Sequence, residues 1–141
     1  MIRAVLDTNV WVAGLLTPSG PPARILDLAI SGALTPVVSP AILHEYEAVL
    51  TRPELNLPVA EVRTALAYLK IPGAHVVHVD PADLPGVCSD PDDDHFLAAA
   101  LAARAAAVVT GNARHVPSSP WKGIVIATAA TFLGSVSLPD R

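Results

Sequence analysis

The sequence predicts a three-layer α/β/α fold, with helices covering both faces of a mostly parallel central sheet of about five strands. Short apolar runs that read as strands alternate with longer helical patterns, the order produced when crossover helices join parallel strands. Hydrophobic residues make up 52% of the 141 but aromatic residues only 4%, so the core must be built from Val, Leu, Ile and Ala. That is the composition of strands buried on both faces. There is no internal repeat, low-complexity tract or dividing linker, and residues 1–141 are expected to form one domain.

The first strand is expected over Ile2 to Leu6, an apolar run stopped by Asp7-Thr8-Asn9. In open parallel sheets ligands bind beyond the carboxyl ends of strands, so Asp7 is placed for chemistry. It is equally placed to cap a helix starting near Val10. Thr17 to Pro22 reads as a loop, Ala23 to Ile30 as a helix stopped by Ser31-Gly32, and Leu34 to Val38 as a second strand. Pro36 points to an edge or the beginning of a strand for that segment, because proline cannot donate to a ladder. Ser39-Pro40 opens a helix from Ala41 to about Thr51. Its apolar stripe contains Ile42, Tyr46 and Val49, and Glu45 falls on the same stripe. An acid there requires either a functional role or a buried ion pair, for which Arg104 is a candidate.

Val62, Leu66 and Leu69 mark a packing helix, with Glu61, Arg63 and Lys70 left to solvent. Ala74 to Val79 is strand-like. His75 and His78 fall on opposite faces of such a strand and cannot chelate one ion together. The connection Asp80 to Ser89 leads into Asp90-Pro91-Asp92-Asp93-Asp94, where four carboxylates fall within five residues. Asp90-Pro91 is a helix start, with Asp90 as cap and Asp92 as a solvated first-turn charge. Counting back from Leu101 through Ala98 and Leu97 puts Asp94 on the apolar stripe, so its carboxylate points inward and needs a cation or hydrogen-bond donors. The helix is expected to end near Ala105. Ala106 to Val109 forms a strand closed by Thr110-Gly111-Asn112, and Arg114 and His115 follow as candidates for touching an anionic substrate. Gly123 to Ala127 is a last strand, Thr128 a cap, and Ala129 to Leu133 a terminal helix.

The formal net charge of −4 argues against a general phosphate-gripping surface, although acids that hold cations exaggerate that count. The single cysteine, Cys88, excludes an internal disulfide and any cysteine-rich zinc cluster. Asp7 interrupts the apolar N-terminal stretch, so no signal peptide is expected. The run Phe96 to Val109 is too short to span a bilayer and carries Arg104. A cytoplasmic protein without a membrane association is expected. No glycine-rich phosphate loop is present.

Asp7, Glu45 and Asp94 are distant in sequence but each is assigned to a strand end or helix face that can meet at one edge of the sheet. Their convergence would suit a hard divalent cation, Mg²⁺ or Mn²⁺, which takes oxygen ligands. Such an ion lowers the pKa of a bound water and stabilises charge on a phosphate.

Four segments together carry a more specific resemblance: Val5 to Val10, Ser39-Pro40 through Glu45, Asp90 to Leu97, and Val108 to Asn112 with Arg114-His115. In that order the sequence resembles the PIN-domain nucleases, especially the VapC-like ribonuclease toxins of toxin–antitoxin pairs. The resemblance implies a small PIN-like parallel-sheet fold, Mg²⁺- or Mn²⁺-dependent RNA cleavage, a homodimer or higher homo-oligomer and a cognate antitoxin protein. It also implies that Asp7, Glu45 and Asp94 are the catalytic metal ligands. Asn9 and Thr110 match supporting positions, and Asp93 is placed to assist. Asn112 stands where many members carry a fourth acid, and so brings oxygen without charge.

Two other readings compete: a PIN-like module that binds RNA or protein with little or no catalysis, and a phosphoacceptor receiver domain. The receiver class calls for an early acidic pair and a lysine closing a late strand, whereas here the early acid is single and Lys122 precedes the last strand.

Overall fold

The computed structural model describes residues 2–111 and 116–135, apart from the side chain of Asp92. β1 (Ile2–Leu6) leads into α1 (Thr8–Leu16) and α2 (Pro21–Ser31), followed by β2 (Leu34–Val38), α3 (Pro40–Leu50) and α4 (Val59–Lys70). A 3₁₀ turn at Pro53–Leu55 separates α3 from α4. After β3 (Val77–His78), a 3₁₀ turn at Pro91–Asp93 runs into α5 (Asp94–Ala103). β4 (Ala107–Val109), β5 (Val125–Ala127) and α6 (Ala129–Ser135) complete the order.

The strands form one five-stranded sheet in the order β3-β2-β1-β4-β5. Every pairing between these strands is parallel, with Ala4 opposite Pro36 and Ala107, and Val109 opposite both Leu6 and Ala127. Ala4, Val5 and Leu6 are all fully buried. Successive strand residues face opposite ways, so both faces of β1 are covered. α5 packs on β1, β2 and β4, while α2 packs on β2 and on α6, which reaches β4 and β5. The α/β class and the layered parallel sheet follow as expected from the alternation in sequence.

Several local expectations shift. β2 is flanked on both sides, yet β3 pairs only with Val37 and Val38. Pro36 therefore lies where no third strand reaches, which reconciles it with an interior strand. β3 covers two residues rather than Ala74 to Val79, because Gly73 and Val76 bridge to each other in a tight antiparallel turn. His75 is taken up by Tyr68, its Nε2 lying 3.1 Å from the Tyr68 carbonyl and its ring edge-on to that phenol, while His78 is exposed.

The apolar stripe of α3 runs through Ile42, Tyr46 and Leu50 rather than Val49. Helix α5 is buried nearly all round, and Leu101 is 39% exposed. α5 stops at Arg104, which takes a left-handed conformation with φ 51°.

Candidate active site

The chain runs from β1 outward to β2 and β3, then returns to the other side of β1 for β4 and β5. The strand order therefore reverses between β1 and β4, and the crevice beyond the carboxyl ends of those two strands is where open α/β sheets bind ligands. Asp7 and Thr110 stand there. They sit one rung beyond the last paired residues Leu6 and Val109, and the ladder continues through them: Asp7 N–H donates to Val109 O and Thr110 N–H to Ala127 O, both at 2.9 Å. Being neighbours on parallel strands, the two side chains meet. Thr110 Oγ1 donates to Asp7 Oδ2 at 2.6 Å.

Asp7 is 6% exposed and does two things at once. Its Oδ1 accepts the Asn9 N–H at 3.4 Å, a long bond that caps α1, while Oδ2 is turned to Thr110. The cap open as one alternative in sequence is thus made, and the same carboxylate stands at the strand end bonded to Thr110. Asn9 contributes its backbone N–H, and its exposed side chain borders a hollow of about 260 Å³ that also touches Gly111 and Thr128.

Glu45 arrives from α3. Ser39 caps that helix by accepting the Ile42 N–H at 3.2 Å, and Pro40 occupies the first turn, where its missing N–H costs nothing. The Thr8 hydroxyl, one residue past Asp7, donates to Glu45 Oε2. Next to Glu45, the Tyr46 hydroxyl donates to the carbonyl of Leu6, tying α3 to the end of β1. Burial pushes the Tyr46 phenol well above its ordinary range; Trp11 opposes that, and the charges of Asp7 and then Glu45 add to it. The phenol remains a donor. Arg104, proposed from sequence as a partner for Glu45, is exposed at the far end of α5.

Asp94 is buried, 4% exposed, as expected, although Leu101, from which its stripe was counted, lies on the exposed side of α5. Its compensation comes from the backbone: Oδ1 accepts the N–H groups of Val87 and Cys88 at 3.0 and 3.1 Å. The carboxylate thereby straps the connection after β3 onto the start of α5. The half-buried Cys88 thiol is pushed up to about 12, mainly by burial and then by its hydrogen bond to Asp94 and the neighbouring acids. Asp93 is half-buried at the junction of the 3₁₀ turn and α5 and gives no side-chain cap to α5. Asn112, Arg114 and His115 lie outside the described residues.

Asp7, Thr8, Glu45, Tyr46 and Thr110 are therefore joined by hydrogen bonds or by adjacency at the end of β1, whereas Asp94 is bonded to the 87–88 backbone. The donors are of the kind a hard divalent cation takes, being carboxylate oxygens near a sheet's ligand-binding edge. Among the described residues, however, no group of three or more His, Cys, Asp and Glu side chains is close enough to hold an ion. Thr8 and Tyr46 were not singled out from sequence. Thr8 adjoins a strand-end acid and Tyr46 is a stripe tyrosine, and a buried tyrosine needs a partner for its hydroxyl, which was the available signal. No helix among the described residues is long and apolar enough to cross a membrane.

The comparisons with known proteins agree with this architecture. An uncharacterised protein of Methanocaldococcus jannaschii is 32% identical over 111 residues, spanning 79% of this chain and 71% of that protein. A chain in the crystal structure of VapBC2 from Rickettsia felis, bound to a DNA fragment from their promoter, superposes with a TM-score of 0.53 at 18% identity. That match covers 89% of this chain and 97% of the other, and it bears on the fold. The PIN domain family model matches residues 3–114, a span running from β1 past Thr110. On that match, and on the strand order and strand-end acid that accompany it, this chain belongs to the PIN-domain family.

Proposed function

We propose that this protein is a metal-dependent endoribonuclease that hydrolyses RNA phosphodiester bonds, acting in the cytoplasm as the toxin of a toxin–antitoxin pair. The observation that carries the proposal is the buried Asp7 carboxylate at the β1/β4 reversal, oriented by Thr110, with Glu45 held alongside through Thr8. PIN domains are generally nucleases, and the family match spans the segments that bear these residues. The fold shared with a VapBC2 chain supports a cognate antitoxin as partner, and self-association into a homodimer or higher oligomer belongs to the same reading.

In this reading Asp7, Glu45 and Asp94 would hold Mg²⁺ or Mn²⁺. Asn112 is a further oxygen donor, and Arg114 and His115 contact the RNA. Such an ion would supply positive charge toward a phosphate and an activated water, without which an acidic edge would repel the substrate. The chain's own residues set the geometry. Thr110 fixes the rotamer of Asp7, Thr8 fixes Glu45, and the protonated Tyr46 phenol holds α3 against the strand end. Asp93 supports Asp94 from the junction ahead of α5, and Asn9 borders the hollow beside Asp7.

A second reading, a PIN-fold module that binds RNA or protein without cutting, is favoured by the engagement of Asp94 with backbone donors away from the other two acids. Cleavage of a panel of structured and single-stranded RNAs with Mn²⁺, Mg²⁺ or chelator separates the two. The nuclease reading expects metal-dependent products, reduced at least about 100-fold by Asp7→Asn with unchanged folding. RNA left intact with every metal sinks it in favour of the binding module, and RNA cut equally by the variant removes Asp7 from the chemistry.

A further inference from the structure

We propose that the hollow beside Asp7, between the first turns of α1, α2 and α6, is a pocket for one unstacked nucleobase of single-stranded RNA, with the Asn9 carboxamide reading the edge of that base. The hollow encloses about 260 Å³. That is below the roughly 300–1,000 Å³ of clefts that bury a whole drug-sized ligand, so it has room for a flat ring and not for an entire nucleotide. Val10, Ala13, Pro21, Pro22 and Ala129 supply apolar walls, and Asn9, Gly111 and Thr128 the polar side. The backbone is bare at Gly111, where an added Cβ would meet nothing within 4 Å. Asn9 and Gly111 both adjoin the strand-end acid: the Asn9 N–H donates to Asp7 Oδ1, and Gly111 follows Thr110, whose hydroxyl donates to Asp7 Oδ2. A base in the hollow therefore belongs to a nucleotide next to a phosphate at that acid.

Three helix starts meet here, an arrangement that would ordinarily suit an anion. Their donors are largely withdrawn. Asp7 caps α1, Pro21 and Pro22 leave the first two positions of α2 without an N–H, and Thr128 Oγ1 accepts the Thr131 N–H at 3.2 Å at the start of α6. None of the described lining residues is charged, and the buried carboxylate of Asp7 next door opposes a phosphate in the hollow itself. A neutral group with apolar faces and a polar edge meets neither objection. Apolar side chains with a few hydrogen-bonding groups are also how a base taken out of its stack is held. Asn9 is exposed at the rim, and its carboxamide has no hydrogen-bond partner among the described residues. A carboxamide presents a donor and an acceptor side by side, which matches the N7 and N6 of adenine. A base inside a duplex offers neither its faces nor a free edge, so the pocket selects unpaired RNA. Asn9 is in this account a specificity-determining residue.

The RNA context of the pocket rests on the nuclease reading, so the test has two arms that fail separately. In the first, adenosine, which carries no phosphate, is titrated into the full chain without metal and followed by the protein's amide NMR shifts. Saturable shifts are expected at Asn9, Gly111 and Ala130. Binding should weaken about fivefold or more in Asn9→Ala, which removes the reading group, and in Ala130→Leu, which fills the hollow from an exposed position of α6. The absence of saturable shifts at these residues overturns the proposal whether or not RNA is cut, and so does inorganic phosphate producing them where adenosine does not. In the second arm, single-stranded RNAs that the chain cuts carry an abasic nucleotide at each position around the cut in turn. One position flanking the cut should lower kcat/KM about tenfold, and Asn9→Ala should shrink that difference. A merely structural role for Asn9 would slow intact and abasic substrates alike. Cleavage indifferent to base removal at every flanking position, or an abasic penalty undiminished in Asn9→Ala, overturns the proposal. Absence of all cleavage strikes the nuclease reading instead and leaves the adenosine arm to decide the pocket.

Discussion

At the residue scale, the two buried carboxylates among the described residues, Asp7 and Asp94, are compensated differently, and their substitutions should separate accordingly. Asp94 satisfies two backbone N–H groups through one oxygen. Asp94→Asn keeps an acceptor there and should leave thermal stability nearly unchanged, whereas Asp94→Ala strands both donors and should cost about 1–2 kcal/mol in denaturant unfolding. If both variants lose cleavage equally while only the alanine variant loses stability, the charge of Asp94 serves chemistry and its geometry serves the fold. Thr110→Val removes the hydroxyl that orients Asp7. It should destabilise by about 1–3 kcal/mol, the cost of a buried acceptor losing its donor, and Thr110→Ser should restore most of that.

At the scale of elements, α1 and α2 pack closely against each other. Gly14 lies in α1 against α2, and a Cβ placed on it would stand 2.5 Å from Leu26 Cδ1 and 3.1 Å from the backbone carbon of Pro22. Alanine usually gains about 1 kcal/mol over glycine inside a helix. Here the clash with a branched, buried leucine should reverse the sign, so Gly14→Ala is expected to lower stability by about 1–2 kcal/mol. A stabilised variant would mean that Leu26 has room to turn aside. The α3 cap is a second joint: Ser39→Ala should cost about 1 kcal/mol through loss of the bond to the Ile42 N–H.

For the whole molecule, the sheet order decides where function sits, because the single reversal at β1/β4 makes one crevice out of residues separated by a hundred positions. If a divalent ion binds there, it stabilises the folded state by mass action. Mn²⁺ at about 100 times its dissociation constant should add about 2.7 kcal/mol, read as a rise in melting temperature reversed by chelator. Asp7→Asn should abolish that rise. A melting temperature indifferent to Mn²⁺ and Mg²⁺ in the parent protein would weigh against any ion at the site, independently of whether RNA is cut.

The strands around Asp7 and Thr110, the helix starts at Ser39-Pro40 and the inward turn of Asp94 were all legible in sequence. Each rests on local rules: periodicity, caps, and the cost of an unpaired inward charge. The class of the fold followed from the same rules applied along the chain. What offsets that cost was not legible, because the donors to Asp94 lie six and seven residues upstream in a connection with no periodic pattern. Nor were the Thr8 bond to Glu45 and the Tyr46 bond to Leu6, which exist only once α3 has packed against the end of β1. Local preference is written in neighbouring residues and is read from them. Which distant groups share a crevice is set by strand order and helix packing, and the tertiary structure alone decided that.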